Sequence, residues 1–178
     1  MTFYLSTYQD NIDFALETKK TLFEEYGIDA TIHIGNKIDG VKYKKNTVCY
    51  HNFLQLLKTV KDEDIYYIED DIRFVSDPRR IDTVCDLNWC VYRFGSLTTK
   101  RQNITGTQCL YIKNNVVKML IQQMSNDRPK HLDGYLSKFI VKNNLKCLQP
   151  KKIGYEKLHD SLISRQQDWI RFTKPPKI

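Results

Sequence analysis

The sequence lacks any long hydrophobic run, since no stretch approaches the ~20 consecutive apolar residues that a membrane-spanning helix needs. It also lacks internal repeats, low-complexity tracts and linkers rich in Gly and Ser. The 178 residues therefore predict a single domain over residues 1–172, which is long enough to bury a proper core. Residues 173–178 form a basic, proline-containing tail that we expect to fray.

Cysteines are few and are not spaced as in disulfide-rich or zinc-binding modules. The five cysteines stand at positions 49, 85, 90, 109 and 147 and form no CxxC pair. The first residues also lack the basic and apolar regions of a secretory signal. We therefore expect free thiols and a cytoplasmic protein. No P-loop and no GxGxxG motif is present, so the common phosphate-binding loops are not expected.

Alanine is scarce, at positions 15 and 30 alone, whereas Lys, Ile and Asn are abundant. Such a bias is typical of AT-rich genomes, including those of many viruses and phages, and for a viral protein the expected location is the host cytoplasm. Basic residues exceed acidic ones by 28 to 21, which gives a net charge of +7. This balance favours polyanionic partners such as nucleic acid, an acidic membrane face or phosphorylated small molecules, or it reflects a solvated lysine surface.

Hydrophobic periodicity predicts alternating strands and helices in the first half of the chain. A short strand at Thr2–Ser6 precedes a helical pattern that ends near Gly27, and Asp29–Ile34 alternates like a second strand. A helical stripe over Tyr50–Val60 then leads to the continuous apolar run Ile65–Ile68, which is typical of a strand buried on both faces. This order predicts an α/β fold with a mixed, mostly parallel sheet flanked by helices.

The second half is less regular, and its predicted elements are less closely spaced. Strand-like segments are Trp89–Arg93, Gln108–Ile112 and Leu145–Leu148. Asn114 is placed to cap one helix, and the apolar pattern from Leu132 to Ile140 predicts another.

Three adjacent carboxylates, Glu69, Asp70 and Asp71, follow directly after the buried strand. Adjacent carboxylates repel one another unless a cation neutralises them. Successive side chains of an extended chain point to opposite sides, so those of Glu69 and Asp71 share one direction and that of Asp70 has the other. In open α/β sheets, ligands bind beyond the carboxyl ends of the strands, and paired carboxylates there suit Mg²⁺ or Mn²⁺. The alternative is an acidic turn neutralised by nearby lysines.

The segment Ile68–Phe74, with its Glu-Asp-Asp core, resembles the acidic signature of glycosyltransferase family 25, which includes lipooligosaccharide and collagen galactosyltransferases. Tyr50 stands where the family carries Ser, and Ser6–Asp10 contains no Arg where the family usually has one. Five further short matches follow the family's order, at Asp29–Gly40, Val48–His51, Gly106–Ile112, Leu132–Leu136 and Ile153–Ile163. The resemblance implies the GT-A fold and transfer of a sugar from a nucleotide-sugar donor, with a UDP-sugar as the leading expectation, to a glycan or glycoconjugate hydroxyl.

The resemblance also implies a divalent metal, Mn²⁺ or Mg²⁺, on the diphosphate of the donor, where a Lewis acid stabilises the charge of the leaving group. Asp71 is the expected direct ligand in this DXD-like motif. Glu69 would assist the metal or contact the ribose of the donor. Asp70 would orient the site or contact the sugar. A further ligand is expected near the C-terminus, where His159 and Asp160 are the candidates.

Transfer with inversion needs a general base that removes the proton of the acceptor hydroxyl. Asp133 is the expected base, with Asp160 as the alternative; a helix-capping role for Asp133 is the structural reading. His51 is either a donor contact or a histidine at the edge of the core. Gly106 and Thr107 either allow close approach of the donor or form a simple turn before a strand.

Three other functions remain open on the sequence alone. A DNA glycosyltransferase that acts on a modified base would use the positive charge to bind phosphates. A nucleotidyltransferase would share a two-carboxylate metal site, but its Gly-Ser usually precedes the acids, whereas Gly95-Ser96 follows them here. A basic binding module without catalysis would carry the acidic cluster as a structural feature.

Overall fold

The computed structural model describes residues 1–36, 45–70, 72–74, 77–79, 87–89, 109–129, 131–145 and 155–157. Within these ranges the helices are α1 Ile12–Tyr26, α2 Lys45–Thr59, α3 Asn114–Asn126 and α4 Leu132–Lys142. The strands are β1 Thr2–Tyr8, β2 Thr31–Gly35, β3 Ile65–Glu69, β4 Ile72–Phe74, β5 Leu87–Trp89, β6 Cys109–Ile112 and β7 Tyr155–Lys157. None of the helices described is long and apolar enough to cross a membrane.

Five of these strands form one mixed sheet in the order β2-β1-β3-β6-β5. Strand β1 pairs in parallel with both β2 and β3, whereas β6 runs antiparallel to β3 and to β5. Four strands therefore share one direction and β6 opposes them. The predicted α/β fold with a mixed, mostly parallel sheet and flanking helices is confirmed, and so is the early β-α-β-α-β order.

The central strands are apolar throughout because both faces of the sheet are covered. On one face Tyr4, Ile65 and Tyr67 belong to a core shared with α2, α3 and α4. On the other face Phe3 and Tyr66 stack with ring centroids 4.2 Å apart, in a second core shared with α1 and β4. Alternate residues of one strand thus serve opposite cores, which explains why Ile65–Ile68 reads as one unbroken apolar run.

Helix α1 ends where the sequence predicts, at Gly27. This residue adopts the left-handed conformation, with φ 66°, and its N–H bonds to carbonyls of the last helical turn, including that of Phe23 at 2.9 Å. Glycine adopts this conformation without steric cost, so it terminates the helix and directs the chain into β2.

Helix α3 begins differently from the prediction, because Asn114 is its first helical residue and Lys113 precedes it as the cap. The oxygen that satisfies the Asn114 N–H comes from Asp64, at 2.9 Å, on the loop before β3. The second Asp64 oxygen accepts the Tyr111 hydroxyl at 2.7 Å. Asp64 thus joins β3, β6 and α3, and its negative charge lies at the positive end of the helix dipole.

Replacing Asp64 with Ala is expected to lower the free energy of unfolding by roughly 2 kcal/mol, because a helix-capping bond and the partner of the buried Tyr111 hydroxyl are both lost. Urea denaturation measures this difference. Asp62→Ala is the matched control, since the exposed Asp62 only pairs with Lys118 and Asn114 at the surface. A loss for Asp64→Ala no larger than that for Asp62→Ala would contradict the assignment.

A second, two-stranded sheet pairs β4 with β7 in antiparallel fashion, and the sequence did not predict it. Ile72 pairs with Lys157 and Phe74 with Tyr155. Strand β7 therefore ends beside the first residue of β4, which follows the acidic cluster. This pairing brings a segment near the C-terminus to the end of the central strand.

The other boundaries differ in detail from the prediction. Strand β5 ends at Trp89, and residues 90–93 of the strand expected there lie outside the described residues. Leu145 is not in a strand, and residues 146–148 of the predicted last strand lie outside the described residues. The expected division into a domain over 1–172 and a tail over 173–178 stays a prediction.

Candidate active site

The candidate site lies at the carboxyl edge of the three parallel strands. In the sheet register, Tyr8 at the end of β1 is next to Gly35 at the end of β2, and Ser6 is next to Glu69 at the end of β3. The first half of α2 lies at the same edge, because the helix follows β2 and leads back to the start of β3. Carboxyl edges of this kind form the ligand-binding crevice in open α/β sheets.

Asp70 is buried, with 6% of its surface exposed, and is built into the framework of the sheet. Its Oδ2 accepts the Thr7 hydroxyl of β1 at 2.6 Å. The Thr18 hydroxyl of α1 shares its one proton between the main-chain oxygen of Asp70, at 2.8 Å, and that of Ile72, at 3.2 Å. These contacts favour the orienting role expected for Asp70 over direct contact with a sugar.

Glu69 lies on the opposite face of the sheet from Asp70. It follows Ile65 and Tyr67 in the alternation, which places it on the face covered by α2. Burial is the main cause of the raised pKa values of Tyr8, Tyr67 and Cys49, and the negative charge of Glu69 raises them further. Glu69 is only half-buried, so it is the carboxylate of the described cluster that is best placed to meet a ligand.

The charges that act on Cys49 of α2 indicate that Asp133 lies near the carboxyl edge that carries Glu69 and Asp70. Burial raises the pKa of its thiol to about 12, and the charges of Glu69, Asp133 and Asp70 add to this effect. Carboxylates from β3, from the turn after it and from the first turn of α4 therefore act on one thiol. The thiol stays protonated at neutral pH and is a poor nucleophile.

Asp133 lies in the first turn of α4, as the sequence predicts, and its side chain is half-buried. Its neighbour Leu132 is buried in the core, which fixes the start of the helix. His131 precedes the helix as its capping residue and makes no side-chain capping bond.

His51 on α2 is half-buried, and its ring contacts Tyr50 edge-on at 5.9 Å. Burial lowers the pKa of the imidazole, so the ring is neutral at pH 7. The contact with Tyr50 favours the reading of His51 as a histidine at the edge of the core.

Several predicted site residues fall in parts of the chain that the structure does not describe. Among the described residues, no group of three or more His, Cys, Asp or Glu side chains is arranged to hold a metal ion. Glu69 is the one proposed metal ligand within them. The predicted residues outside them are Asp71, Gly106, Thr107, His159 and Asp160.

Sequence reasoning missed a polar cluster beside Glu69, formed by Ser6, Tyr8, His33 and Asn52. The amide nitrogen of Asn52 on α2 donates to the Ser6 hydroxyl at 2.7 Å. A Cβ on Gly35 would overlap the Asn52 side chain, so glycine is required where the amide crosses the end of β2. The sequence signal that could have revealed this cluster is strand alternation, which places Ser6 and Tyr8 on the same face of the sheet as Glu69.

No known family profile matches the sequence, and no curated protein matches it either. Solved structures do match. Two are the Drosophila β-1,4-galactosyltransferase 7, one a mutant in complex with manganese, UDP-Gal and xylobiose and the other the catalytic domain in complex with xylobiose. Their TM-scores are 0.58 and 0.59 at 11% identity, over 89% of this chain and 71% and 70% of theirs.

A third match is a glycosyltransferase involved in the glycosylation of the major capsid of PBCV-1. Its TM-score is 0.55 at 9% identity, over 84% of this chain and 82% of that one. These three structures are of glycosyltransferases, and this chain shares their GT-A-like fold. The likeness at this identity is one of fold.

Proposed function

We propose that this protein is a metal-dependent glycosyltransferase that moves a sugar from a nucleotide-diphosphate donor to a hydroxyl of a glycan or glycoconjugate. One observation carries the proposal. The acidic segment Glu69–Asp70 lies at the end of the central strand, at the carboxyl edge of a GT-A-like sheet, and the charge of Asp133 acts together with theirs on the Cys49 thiol. The manganese, UDP-Gal and xylobiose bound to a structural neighbour support the same class of donor, metal and acceptor.

Asp71 and Glu69 are the residues proposed to hold Mn²⁺ or Mg²⁺. Their carboxylate oxygens are the hard ligands that these ions prefer. A bound divalent cation would neutralise the charge that develops on the departing diphosphate. Asp70 is proposed to fix the backbone next to these ligands, because its carboxylate and main-chain oxygen are held by Thr7 and Thr18.

His159 is proposed as a further metal ligand on account of where β7 ends. Lys157, the last residue of β7, pairs with Ile72, so the strand ends beside the first residue of β4. His159 follows Lys157 by two residues, within about 7 Å of extended chain. Asp160 follows next and remains the alternative to Asp133 as general base.

Asp133 is proposed to accept the proton of the acceptor hydroxyl as the new glycosidic bond forms. Asp133 belongs to the first turn of α4, whereas the proposed ligand Glu69 ends β3. A general base must lie within hydrogen-bond reach of the hydroxyl proton that it removes, and this is the role proposed for the Asp133 carboxylate.

Donor contacts are proposed for Gly106 and Thr107. Strand β6 begins at Cys109, which pairs with Ile68 one residue before the acidic cluster. Strand β6 therefore begins near the carboxyl edge, three residues after Gly106 and two residues after Thr107 in the sequence. A donor contact from His51 is less well supported, since its ring lies against Tyr50.

We also propose that the protein is a member of glycosyltransferase family 25, on the basis of the six short sequence matches. The acceptor is proposed to be a glycan or glycoconjugate, as the xylobiose complexes of a neighbour suggest for the fold. The comparisons lend no support to DNA as acceptor.

Thermal unfolding with a panel of nucleotide sugars tests the proposal. UDP-, GDP- and dTDP-sugars are each added with Mn²⁺ and with EDTA, and donor hydrolysis is followed in parallel. A ligand at a hundredfold excess over its Kd stabilises the native state by about 2.7 kcal/mol, which raises Tm by roughly 5 to 10 °C. We expect this shift for a UDP-sugar with Mn²⁺ and not with EDTA. No shift and no hydrolysis with any donor would overturn the proposal.

A further inference from the structure

Tyr50 of α2 contacts both sides of the connection between α3 and α4. Its hydroxyl donates to the main-chain oxygen of Met124, near the end of α3, at 3.0 Å. Its ring lies edge-on against that of Tyr135, near the start of α4, with the ring centroids 5.1 Å apart. All three residues are buried in the core shared by α2, α3 and α4. One side chain of α2 therefore fixes the end of one helix and the start of the next.

The hydrogen bond from Tyr50 pairs a carbonyl that cannot be paired within α3 itself. The last four carbonyl groups of an α-helix have no N–H of the same helix to accept from. Helix α3 ends at Asn126, so Met124 carries one of these four groups. Loss of the Tyr50 hydroxyl would leave the buried Met124 oxygen without this partner, which would destabilise the end of α3.

The contact between α2 and α4 extends from Tyr50 to the candidate site. Cys49, the preceding residue, is near enough to Asp133 for the charge of Asp133 to raise the pKa of the thiol, after the larger effects of burial and of Glu69. Two consecutive residues of α2 thus lie close to two residues in the first turn of α4, Asp133 and Tyr135. The packing of α2 on α4 therefore sets the position of Asp133 relative to Glu69.

We propose that Tyr50 is a positioning residue for the transfer reaction and places the Asp133 carboxylate at the acceptor hydroxyl by holding the end of α3 and the start of α4 against α2. Tyr50 is buried, so it acts through Asp133 and not by contact with a substrate. A displacement of about 1 Å can slow a reaction about a hundredfold, so a general base depends on the packing that supports it. The inference rests on the proposed function, since it concerns the base of that site.

Tyr50 is also a position at which this chain departs from glycosyltransferase family 25, whose members carry Ser there. A serine has no ring to meet Tyr135, and its hydroxyl is too close to the main chain to replace that of a tyrosine. The double contact of Tyr50 is therefore a feature of this chain and does not follow from the resemblance.

Tyr50→Phe tests the inference, because it removes the hydroxyl and keeps the ring against Tyr135. The kcat is measured as Mn²⁺-dependent hydrolysis of the UDP-sugar that stabilises the native protein most, in which water replaces the acceptor hydroxyl and gives its proton to the same base. We expect kcat to fall about tenfold, while the donor KM and the rise in Tm with donor and Mn²⁺ stay native. The Tm of the free protein should fall by roughly 2 to 4 °C.

Tyr50→Leu extends the series, because it removes the ring contact together with the hydroxyl. It should lower kcat by about a hundredfold and again leave the donor KM near its native value.

Tyr26→Phe is the matched control for Tyr50→Phe. The Tyr26 hydroxyl also donates to a main-chain oxygen, that of Phe74 at 2.9 Å, but Tyr26 packs on the core of the other sheet face. Tyr26→Phe should lower Tm to a similar extent and leave kcat native. The two variants separate the loss of a tyrosine hydrogen bond in general from the loss of one that holds α3 and α4.

A double-mutant cycle with Asp133→Asn shows whether Tyr50 acts through Asp133. In the Asp133→Asn background, Tyr50→Phe should cause no further fall in kcat, because the carboxylate that Tyr50 positions is already absent. The loss in Tm should be the same in both backgrounds, since Asp133 takes no part in the bond from Tyr50 to Met124. A role in stability alone would not produce this difference between kcat and Tm.

Three results would overturn the inference. The first is a Tyr50→Phe variant with a lowered Tm and native kcat, because the hydroxyl would then serve stability alone. The second is an equal fall in kcat with and without the Asp133 carboxylate, which would mean that Tyr50 acts on another part of the site. The third is a native kcat in Asp133→Asn, which would place the base elsewhere and leave the transferase proposal standing.

Failure of the proposed function gives a different pattern, in which the native protein binds and hydrolyses no donor. Hydrogen exchange then still reports on the double contact of Tyr50. Tyr50→Phe should speed amide exchange at the end of α3 and the start of α4, whereas Tyr26→Phe should not. Unchanged exchange in Tyr50→Phe would contradict the contact on which the inference is built, whatever reaction the protein performs.

Discussion

Asp71→Asn should lower metal-dependent sugar transfer by roughly 10²- to 10³-fold or more, because a neutral amide replaces the carboxylate proposed to bind the cation directly. The same change should remove the Mn²⁺-dependent rise in Tm with a UDP-sugar. Its effect on the free protein should be small or even stabilising, because one of three mutually repelling charges is removed. Initial rates over a Mn²⁺ titration measure the first effect and thermal unfolding the others.

The control for Asp71→Asn is Asp62→Asn. Asp62 is an exposed acid whose partners, Lys118 and Asn114, lie at the start of α3 and away from the carboxyl edge. It should retain full turnover and full metal dependence. Native turnover in Asp71→Asn would show that the acidic cluster is a structural turn, and the metal site would have to be placed elsewhere.

Asp133→Asn is expected to reduce kcat by about 10²- to 10⁴-fold, which is the usual contribution of a general base. The KM for the donor and the stabilisation by UDP-sugar and Mn²⁺ should stay near native values, because Asp133 is proposed to act on the acceptor hydroxyl. This division between kcat and donor binding separates a base from a metal ligand.

Asp29→Asn provides the comparison for Asp133→Asn, since exposed Asp29 only pairs with Lys19 at the surface, at 2.8 Å. It should leave both kcat and donor KM unchanged. If Asp133→Asn keeps its native kcat and Asp160→Asn loses it, the proton acceptor is Asp160. The transferase proposal would survive that outcome, and the role of Asp133 would be limited to the start of α4.

The part of the fold that the sequence could predict depends on local patterns. Gly27 ends α1 as expected, because the left-handed conformation at a helix end favours glycine. The apolar run Ile65–Ile68 is buried on both faces, as its composition indicates. The opposite directions of Glu69 and Asp70 follow from strand alternation, and the contact of Asp70 with Thr7 agrees with it.

The rest depends on contacts between residues far apart in the chain. Strands β4 and β7 have three residues each, which is too short for a periodic signal, and they form only because they pair with each other. The cap of α3 comes from Asp64 and not from Asn114 itself. The polar cluster of Ser6, Tyr8, His33 and Asn52 exists because α2 places Asn52 over Gly35 and Ser6, and no spacing in the sequence reveals that crossing.

The Thr18 hydroxyl bonds to the main-chain oxygens of Asp70 and Ile72, the residues on either side of position 71. One side chain of α1 thus restrains the backbone on both flanks of the proposed cation ligand before any ion arrives. If Asp71 binds the cation as proposed, less conformational entropy would be lost on ion capture, which would strengthen binding. Such a restrained ligand frame would favour small octahedral ions such as Mg²⁺ and Mn²⁺ over the larger, more adaptable Ca²⁺.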